Sequence, residues 1–351
     1  VLVFRCNNKF NTDYINMKCF FTPDGNGIDS LKIQDVAEPG ALVAGQIRVA
    51  MRAASLNFRD LLVLSGALGK IGPEGLVLCS DGAGEVVEVA PDVRRVKPGD
   101  RVALTFIPDW IAGPFRTSIA PFSRGFPLQG VMAEQVVAHQ DGVVVLPDHL
   151  SFEEGACLPC AGVTAWHALC GPAPLLPGMS VLLQGAGGVS VLALQFAKLF
   201  GARVIMTTSS DERAAQLKKL GADAVINYQQ EPDWDIAVRK LTNGEGVDLA
   251  VDVGGAATID RAVKTIRKGG RLAIVGLLTG WPGSISSLFA SRVDVTPITV
   301  GSRNDFDDMN RAIAFHKMHP VIDKKFTFDA LPEALRYLES GKQFGKIVIS
   351  F

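Results

Sequence analysis

The feature that most restricts the fold is a glycine-rich turn held between two apolar elements. Ser180 to Gln184 (SVLLQ) reads as a buried strand, Gly185-Ala186-Gly187-Gly188-Val189-Ser190 follows at once, and an apolar helical pattern then runs through Leu199. A strand entering a helix through such a turn is the context a dinucleotide-binding fingerprint requires. The rhythm continues with ARVIMTT, a charged amphipathic helix around Glu212 to Leu220, DAVINY, a further helix, VDLAVDV, another helix and RLAIVGLL. Strands and helices alternating at this spacing build a doubly wound parallel sheet. Gly185 permits the tight turn and Gly187 lets the backbone approach a pyrophosphate. Gly188 and Val189 open a helix whose unpaired N–H groups and partial positive charge suit an anion. Ser190 stands at the third small position, where it is expected to loosen helix-to-strand packing while keeping the anion site.

The end of the second strand discriminates between nicotinamide coenzymes, because an acid there bonds the adenosine ribose of NAD and repels the extra phosphate of NADP. Here the strand ends Thr207-Thr208-Ser209-Ser210, with no carboxylate before Asp211 and with Arg213 close behind. NADPH is therefore expected ahead of NADH, with Thr208, Ser209, Ser210 and Arg213 around the phosphate. The same hydroxyls also suit the cap of the helix that begins near Asp211.

Before this half, from about Leu31 to Leu146, short apolar or alternating runs are punctuated by Gly-Asp, Pro-Gly and Pro-Asp pairs, the pattern of a small, mostly antiparallel β domain. After Val300 come a helix (307–316), a strand (325–328), a helix (332–340) and a strand (346–351), a tail expected to return to the β domain. The division expected is an extension over 1–16, a catalytic domain over 17–160, a coenzyme-binding domain over 161–302 and a returning segment over 303–351. The stretch 155–197 lacks Asp, Glu, Lys and Arg, but its prolines and glycines break it, so it reads as a buried domain centre and not a membrane span. With 35 basic and 36 acidic residues and no block of like charge, neither nucleic acid nor a membrane surface is an expected partner. Six scattered cysteines in 351 residues form no disulfide framework and fit a reducing, cytoplasmic setting.

The segments ASLNFRD (54–60), SDGAGEVVEV (80–89), VKPGDRV (96–102), LPCAGVTAWHAL (158–169), GAGGVS (185–190), LGADAVINY (220–228), VDVGG (251–255) and FGKIVI (344–349) together resemble the medium-chain dehydrogenase/reductase superfamily. Within it, the likeness is to the zinc-independent branch similar to quinone reductases and alcohol dehydrogenases. The resemblance extends from Met17 to Phe351. It implies a GroES-like, mostly antiparallel β catalytic domain plus a Rossmann doubly wound parallel sheet, with a small-molecule substrate in the cleft between them and a homodimer paired through Rossmann edge strands.

At the positions where zinc-dependent members carry Cys, His and Cys, this sequence has Asn57, Ser80 and Cys160, and 101–140, where a structural zinc lobe would fall, contains no Cys. An amide and a hydroxyl are poor zinc ligands, so no metal is expected. Cys157 and Cys160 read as buried small residues. Asn57 is expected to donate its amide to the substrate oxygen or the nicotinamide ribose. Arg59 is expected either to stabilise an oxyanion or to join a surface salt bridge, and Asp60 to orient the local backbone. Phe58 stands where several enoyl reductases have a proton-donating Tyr nearby, which leaves solvent or a hydroxyl such as Ser80 as proton source.

Thr164 matches the superfamily's nicotinamide contact, whereas His167 reads as a packed imidazole. The backbone at Gly254, Leu277 and Ser302 is expected to line the coenzyme cleft, and Tyr228 and Lys346 to lie toward the adenosine phosphate. The segment 107–130 forms either part of the substrate mouth or a rigid surface loop. Without a Lewis acid, hydride delivery to a carbonyl-conjugated alkene or a quinone is easier than alkoxide chemistry. The alternatives are a zinc-free alcohol/aldehyde dehydrogenase and an NADPH-binding protein with little turnover.

Overall fold

The computed structural model describes residues 16–119, 122–171, 173–276, 278–280 and 291–351. Leu277, and all of the expected extension except Asn16, fall outside the described residues. The chain divides into two units: Val1–Val163 together with Ser302–Phe351, and Thr164–Gly301.

The first unit is built on strand Gln46–Ser55, whose side chains alternate between burial and partial exposure along QIRVAM, the period of a sheet with one face on a core. It pairs antiparallel with Asp81–Val89, Gln135–His139 and Lys346–Ser350. The sheet continues through Arg101–Leu104 to Val143–Val145 on one side and through Ile322–Thr327 on the other. Ile47, Val49, Leu78, Val102, Leu104, Leu335, Ile347 and Ile349 fill its core. The short helix Phe58–Leu64 begins directly after Asn57, its N-cap residue.

The second unit holds six parallel strands in the order Ala224–Asn227, Arg203–Thr208, Ser180–Gln184, Val247–Asp252, Ile266–Ile274 and Asp294–Pro297. The central strands are covered on both faces, which explains continuous apolar runs such as VLL and VIM. The chain first enters the sheet at Ser180–Gln184 and later returns to its other side at Val247–Asp252. The order therefore reverses beside Gln184, where open α/β sheets bind ligands. Among the described residues no helix is long and apolar enough to cross a membrane.

Candidate active site

The turn after Gln184 is shaped by the absence of side chains. Gly185 has φ +73°, a conformation costly for other residues, and a Cβ placed on Gly185 or on Gly187 would meet nothing within 4 Å. Helix Gly188–Leu199 starts behind this open space without a side-chain cap at Gly187. Its first N–H groups are thus available to an anion. Ser190 corrects one expectation. Its hydroxyl is buried and donates to the Gln184 carbonyl at 2.5 Å, so it ties the helix to the strand instead of loosening their packing.

Nearby, Gln184 Nε2 donates to Asp252 Oδ2 at 2.8 Å, and Asp252 Oδ1 accepts from the Gly255 N–H at 2.8 Å, fixing the strand ends on both sides of the reversal. Gly254 is packed so closely that a Cβ would lie 2.4 Å from Thr258 Oγ1, and its carbonyl accepts from Thr279 Oγ1.

At the neighbouring strand end, Thr208 is buried and the Tyr228 N–H donates to its carbonyl, which brings the half-exposed Tyr228 beside the expected hydroxyls. Ser210 caps helix Asp211–Lys219 by accepting from the Arg213 N–H at 3.3 Å, and Arg213 Nη1 donates to Ser209 Oγ at 3.3 Å. Capping and a cationic, hydroxyl-rich corner thus coexist. Asp211 accepts from Asn227 Nδ2 and Gln230 Nε2 at 2.8 and 2.7 Å, and these two amides hold its carboxyl below the usual range. Thr164, the first residue of the second unit, is buried in helix Val163–Cys170. That helix follows a π-helical turn over Leu158–Gly162, a feature common at functional sites that nothing in the residue spacing announced.

The first unit brings Asn57, Ser80 and Cys160 into one hydrogen-bonded cluster. At the start of helix Phe58–Leu64, Asp60 Oδ2 accepts from the Asn57 N–H at 2.8 Å and the Asp60 N–H donates to the Asn57 carbonyl at 2.9 Å, the backbone-orienting role expected of this acid. Burial pushes the Asp60 carboxyl up to about 6, while the Arg59 charge and the Asn57 N–H pull the other way. Lys346 is 2% exposed, and its ammonium donates to the Leu56 carbonyl and to Asn57 Oδ1, both at 2.7 Å. With Oδ1 so occupied, Asn57 Nδ2 faces Ser80 Oγ at 3.5 Å. The Ser80 hydroxyl donates to Asp81 Oδ1 at 2.7 Å, and Asp81 Oδ2 accepts from the Cys160 N–H at 3.0 Å. Burial pushes both the Cys157 and Cys160 thiols up to about 12, with Asp81 raising Cys160 further.

Three site expectations are corrected. The Lys346 ammonium is buried and committed to the Leu56 carbonyl and Asn57 Oδ1, so it is part of the Asn57 cluster and not a phosphate contact. Arg59 is neither an oxyanion donor nor a partner in a surface salt bridge. Its guanidinium donates to the Arg124 and Phe126 carbonyls and to Ser123 Oγ at 2.9, 3.2 and 3.0 Å, and lies 4.8 Å from the centroid of the Phe106 ring. It is the clasp of the segment that stands in place of a zinc lobe. Ser302 caps helix Arg303–His316, and its N–H and hydroxyl both donate to Asp305 at 2.7 Å, so neither is available to a coenzyme. The partners Lys346 and Asp81 were missed. The only sequence signal was a Lys on an otherwise apolar strand and an Asp directly after Ser80. Among the described residues, no three His, Cys, Asp or Glu side chains gather as a metal-binding group.

Comparison with known proteins agrees with this architecture. Residues 43–148 match the alcohol dehydrogenase GroES-like domain family, and residues 188–314 the zinc-binding dehydrogenase family. The chain is 37% identical over 332 residues to a zinc-type alcohol dehydrogenase-like protein of Schizosaccharomyces pombe, covering 92% of this chain and 96% of that protein. The crystal structure of an NAD-dependent alcohol dehydrogenase superposes with TM-score 0.86 at 33% identity, over 95% of this chain and 100% of the other. A quinone oxidoreductase from Pseudomonas syringae superposes with TM-score 0.81 at 28% identity, over 95% and 100% of the two chains. The chain belongs to the medium-chain dehydrogenase/reductase superfamily and is an oxidoreductase of that type.

Proposed function

We propose that the protein transfers hydride from NADPH to a quinone or to an alkene conjugated to a carbonyl, without zinc. The observation that carries this reading is the orientation of Asn57. An ammonium 2.7 Å from Oδ1 assigns the amide oxygen to Lys346 and leaves Nδ2 as the donor toward the site. The same arrangement does not fit zinc: Asn57 Oδ1 already faces a cation and the Ser80 hydroxyl is engaged by Asp81, which leaves Cys160 as a lone strong ligand among the three positions. The relatives named as zinc-type do not alter this chemistry of the donor set.

NADPH, when bound, supplies the hydride. Asn57 Nδ2 then donates to the substrate oxygen on which charge gathers, an enolate or phenolate oxygen that hydrogen bonds can stabilise. Lys346 holds the amide in register for this role. The Ser80 proton is committed to Asp81, so the remaining carbon or oxygen takes its proton from solvent. Preference for NADPH is supported by Ser209, Ser210 and Arg213 at the strand end and by the tethering of Asp211, the first carboxylate, to Asn227 and Gln230. We further propose a homodimer paired through the sheet edge at Asp294–Pro297; light scattering showing a monomer overturns it.

The experiment is coenzyme oxidation by the purified, chelator-treated protein against quinones, enones and aldehydes, with simple alcohols tested in the reverse direction. Enone or quinone turnover that survives chelation is expected. Rapid oxidation of simple alcohols with no enone or quinone turnover overturns the reading in favour of a zinc-free alcohol/aldehyde dehydrogenase, the activity suggested by the alcohol dehydrogenase names of several relatives. NADPH binding without any turnover overturns it in favour of a binding role.

A further inference from the structure

Arg124 differs from every guanidinium around it. Arg59 is spread over three acceptors, and Arg303 and Arg95 both reach Asp141, at 2.7 and 3.6 Å. Arg124 is 6% exposed, and among the described residues its guanidinium donates to no acceptor: Nε is fully enclosed without a partner, whereas Nη1 and Nη2 are not enclosed and remain reachable. Asp109 acts on it through space without forming an ion pair, and burial lowers its pKa to about 10. A largely buried charge without a protein acceptor is costly, and the neighbouring backbone supplies none. Nη2 points to Gly142, lying 3.5 Å from where a Cβ of that residue would stand, but the Gly142 carbonyl is already taken by the Thr105 N–H and hydroxyl.

Strand register places this group relative to the Asn57 cluster. Ser55 pairs with Asp81, Leu104 pairs with Val143, and the Thr105 N–H donates to Gly142, so Ser55, Asp81, Thr105 and Gly142 lie in a row at one end of the sheet. Two strand spacings separate Asp81 from Gly142, about 10 Å. The Arg124 backbone bridges the interval: its N–H donates to Phe106, and Gly125 lies so close to Cys79 and Ser80 that a Cβ would be 2.7 Å from the Cys79 carbonyl carbon.

We propose that Arg124 receives an oxyanion of the substrate, a carboxylate or phosphate ester carried about 10 Å from the group reduced beside Asn57. A planar fork of donors with no protein acceptor suits such a group better than a neutral one. This rests on the reading of Asn57 given above.

The test compares a vinyl ketone bearing a terminal carboxylate on a flexible alkyl chain with its methyl ester and with a phosphate monoester of the same length. In Arg124→Gln, the ratio of kcat/KM for the anionic substrate over the ester is expected to fall at least about tenfold, and Arg124→Lys to recover part of it. The carboxylate and phosphate arms identify which oxyanion is preferred. A second arm needs no turnover: octanoate and inorganic phosphate are titrated against the melting temperature of both proteins. A saturable rise with one of them in the parent, absent in Arg124→Gln, supports the proposal. An unchanged substrate ratio, or a rise that persists in the variant, overturns it. If the parent reduces neither a vinyl ketone nor a quinone, the reading of Asn57 fails; if it reduces no vinyl ketone, the melting arm alone decides the role of Arg124. If Arg124→Gln does not fold, Arg124→Lys decides: a severalfold fall in the ratio supports the proposal and no fall overturns it.

Discussion

The turn at Gly185–Ser190 and the cluster at Asn57 are built by opposite means. The turn works through backbone: glycines that leave space, a helix start that leaves N–H groups unpaired, and one serine that stitches helix to strand. The cluster works mainly through side chains drawn from three distant parts of the chain, Asn57, Ser80-Asp81 and Lys346, with the Cys160 N–H as a backbone anchor for Asp81. A backbone site tolerates neighbours of many kinds but no added bulk, whereas a side-chain site tolerates bulk nearby but no missing partner.

The largest effect that would break this contrast is expected at Asn57. Asn57→Ala should lower kcat about a hundred- to thousandfold with little change in NADPH affinity, the loss typical of a single oxyanion donor; a fall seen only in KM for the coenzyme would move Asn57 to a ribose contact. Gly187→Val comes next. Its Cβ enters open space without meeting a protein atom within 4 Å, so the melting temperature should hold while fluorescence titration shows NADPH affinity falling about a hundredfold through lost charge-assisted hydrogen bonds. Unchanged affinity would mean that the space does not receive a diphosphate.

The next effect is a pH dependence peculiar to the side-chain cluster. Burial raises the folded-state pKa of Asp60 from 3.8 to about 6, so between those values the folded chain keeps a proton that the unfolded chain releases. Stability should therefore fall as pH rises through this window, by about 3 kcal/mol in all, and change little from this source above it. Urea titrations across the window should show that component missing in Asp60→Asn; an identical slope in both proteins would assign the dependence elsewhere. Arg213→Ala should reduce the preference for NADPH over NADH in kcat/KM by about tenfold, the worth of one hydrogen-bonded charge at a phosphate. Smallest of all, Ser190→Ala removes one buried hydrogen bond and should cost about 1 kcal/mol in a denaturant titration.

The same contrast explains what the sequence revealed. Contiguous features were legible: the Gly185 turn, the parallel alternation after it, the Ser210 cap and the Asp60 contact with Asn57 all lie within a few residues of one another. Features that depend on distant pairing were not. Lys346 reads as a coenzyme contact until strand Lys346–Ser350 is seen beside Gln46–Ser55, and Arg59 reads as a surface or active-site cation until the 123–126 backbone is seen against it. The effect of Ser190 was misjudged for a smaller reason: its volume was weighed, but not the carbonyl within reach of its hydroxyl.

The contact between Lys346 and the Leu56 carbonyl spans 290 positions, and the whole of Thr164–Gly301 is threaded between its two ends. In chain order, the parallel sheet is therefore complete before two strands of the β unit, Ile322–Thr327 and Lys346–Ser350, and its buried ammonium have been added. The side chains gathered around Asn57 can thus be complete only after the last strand has docked, so the final residues of the chain decide when the cluster forms.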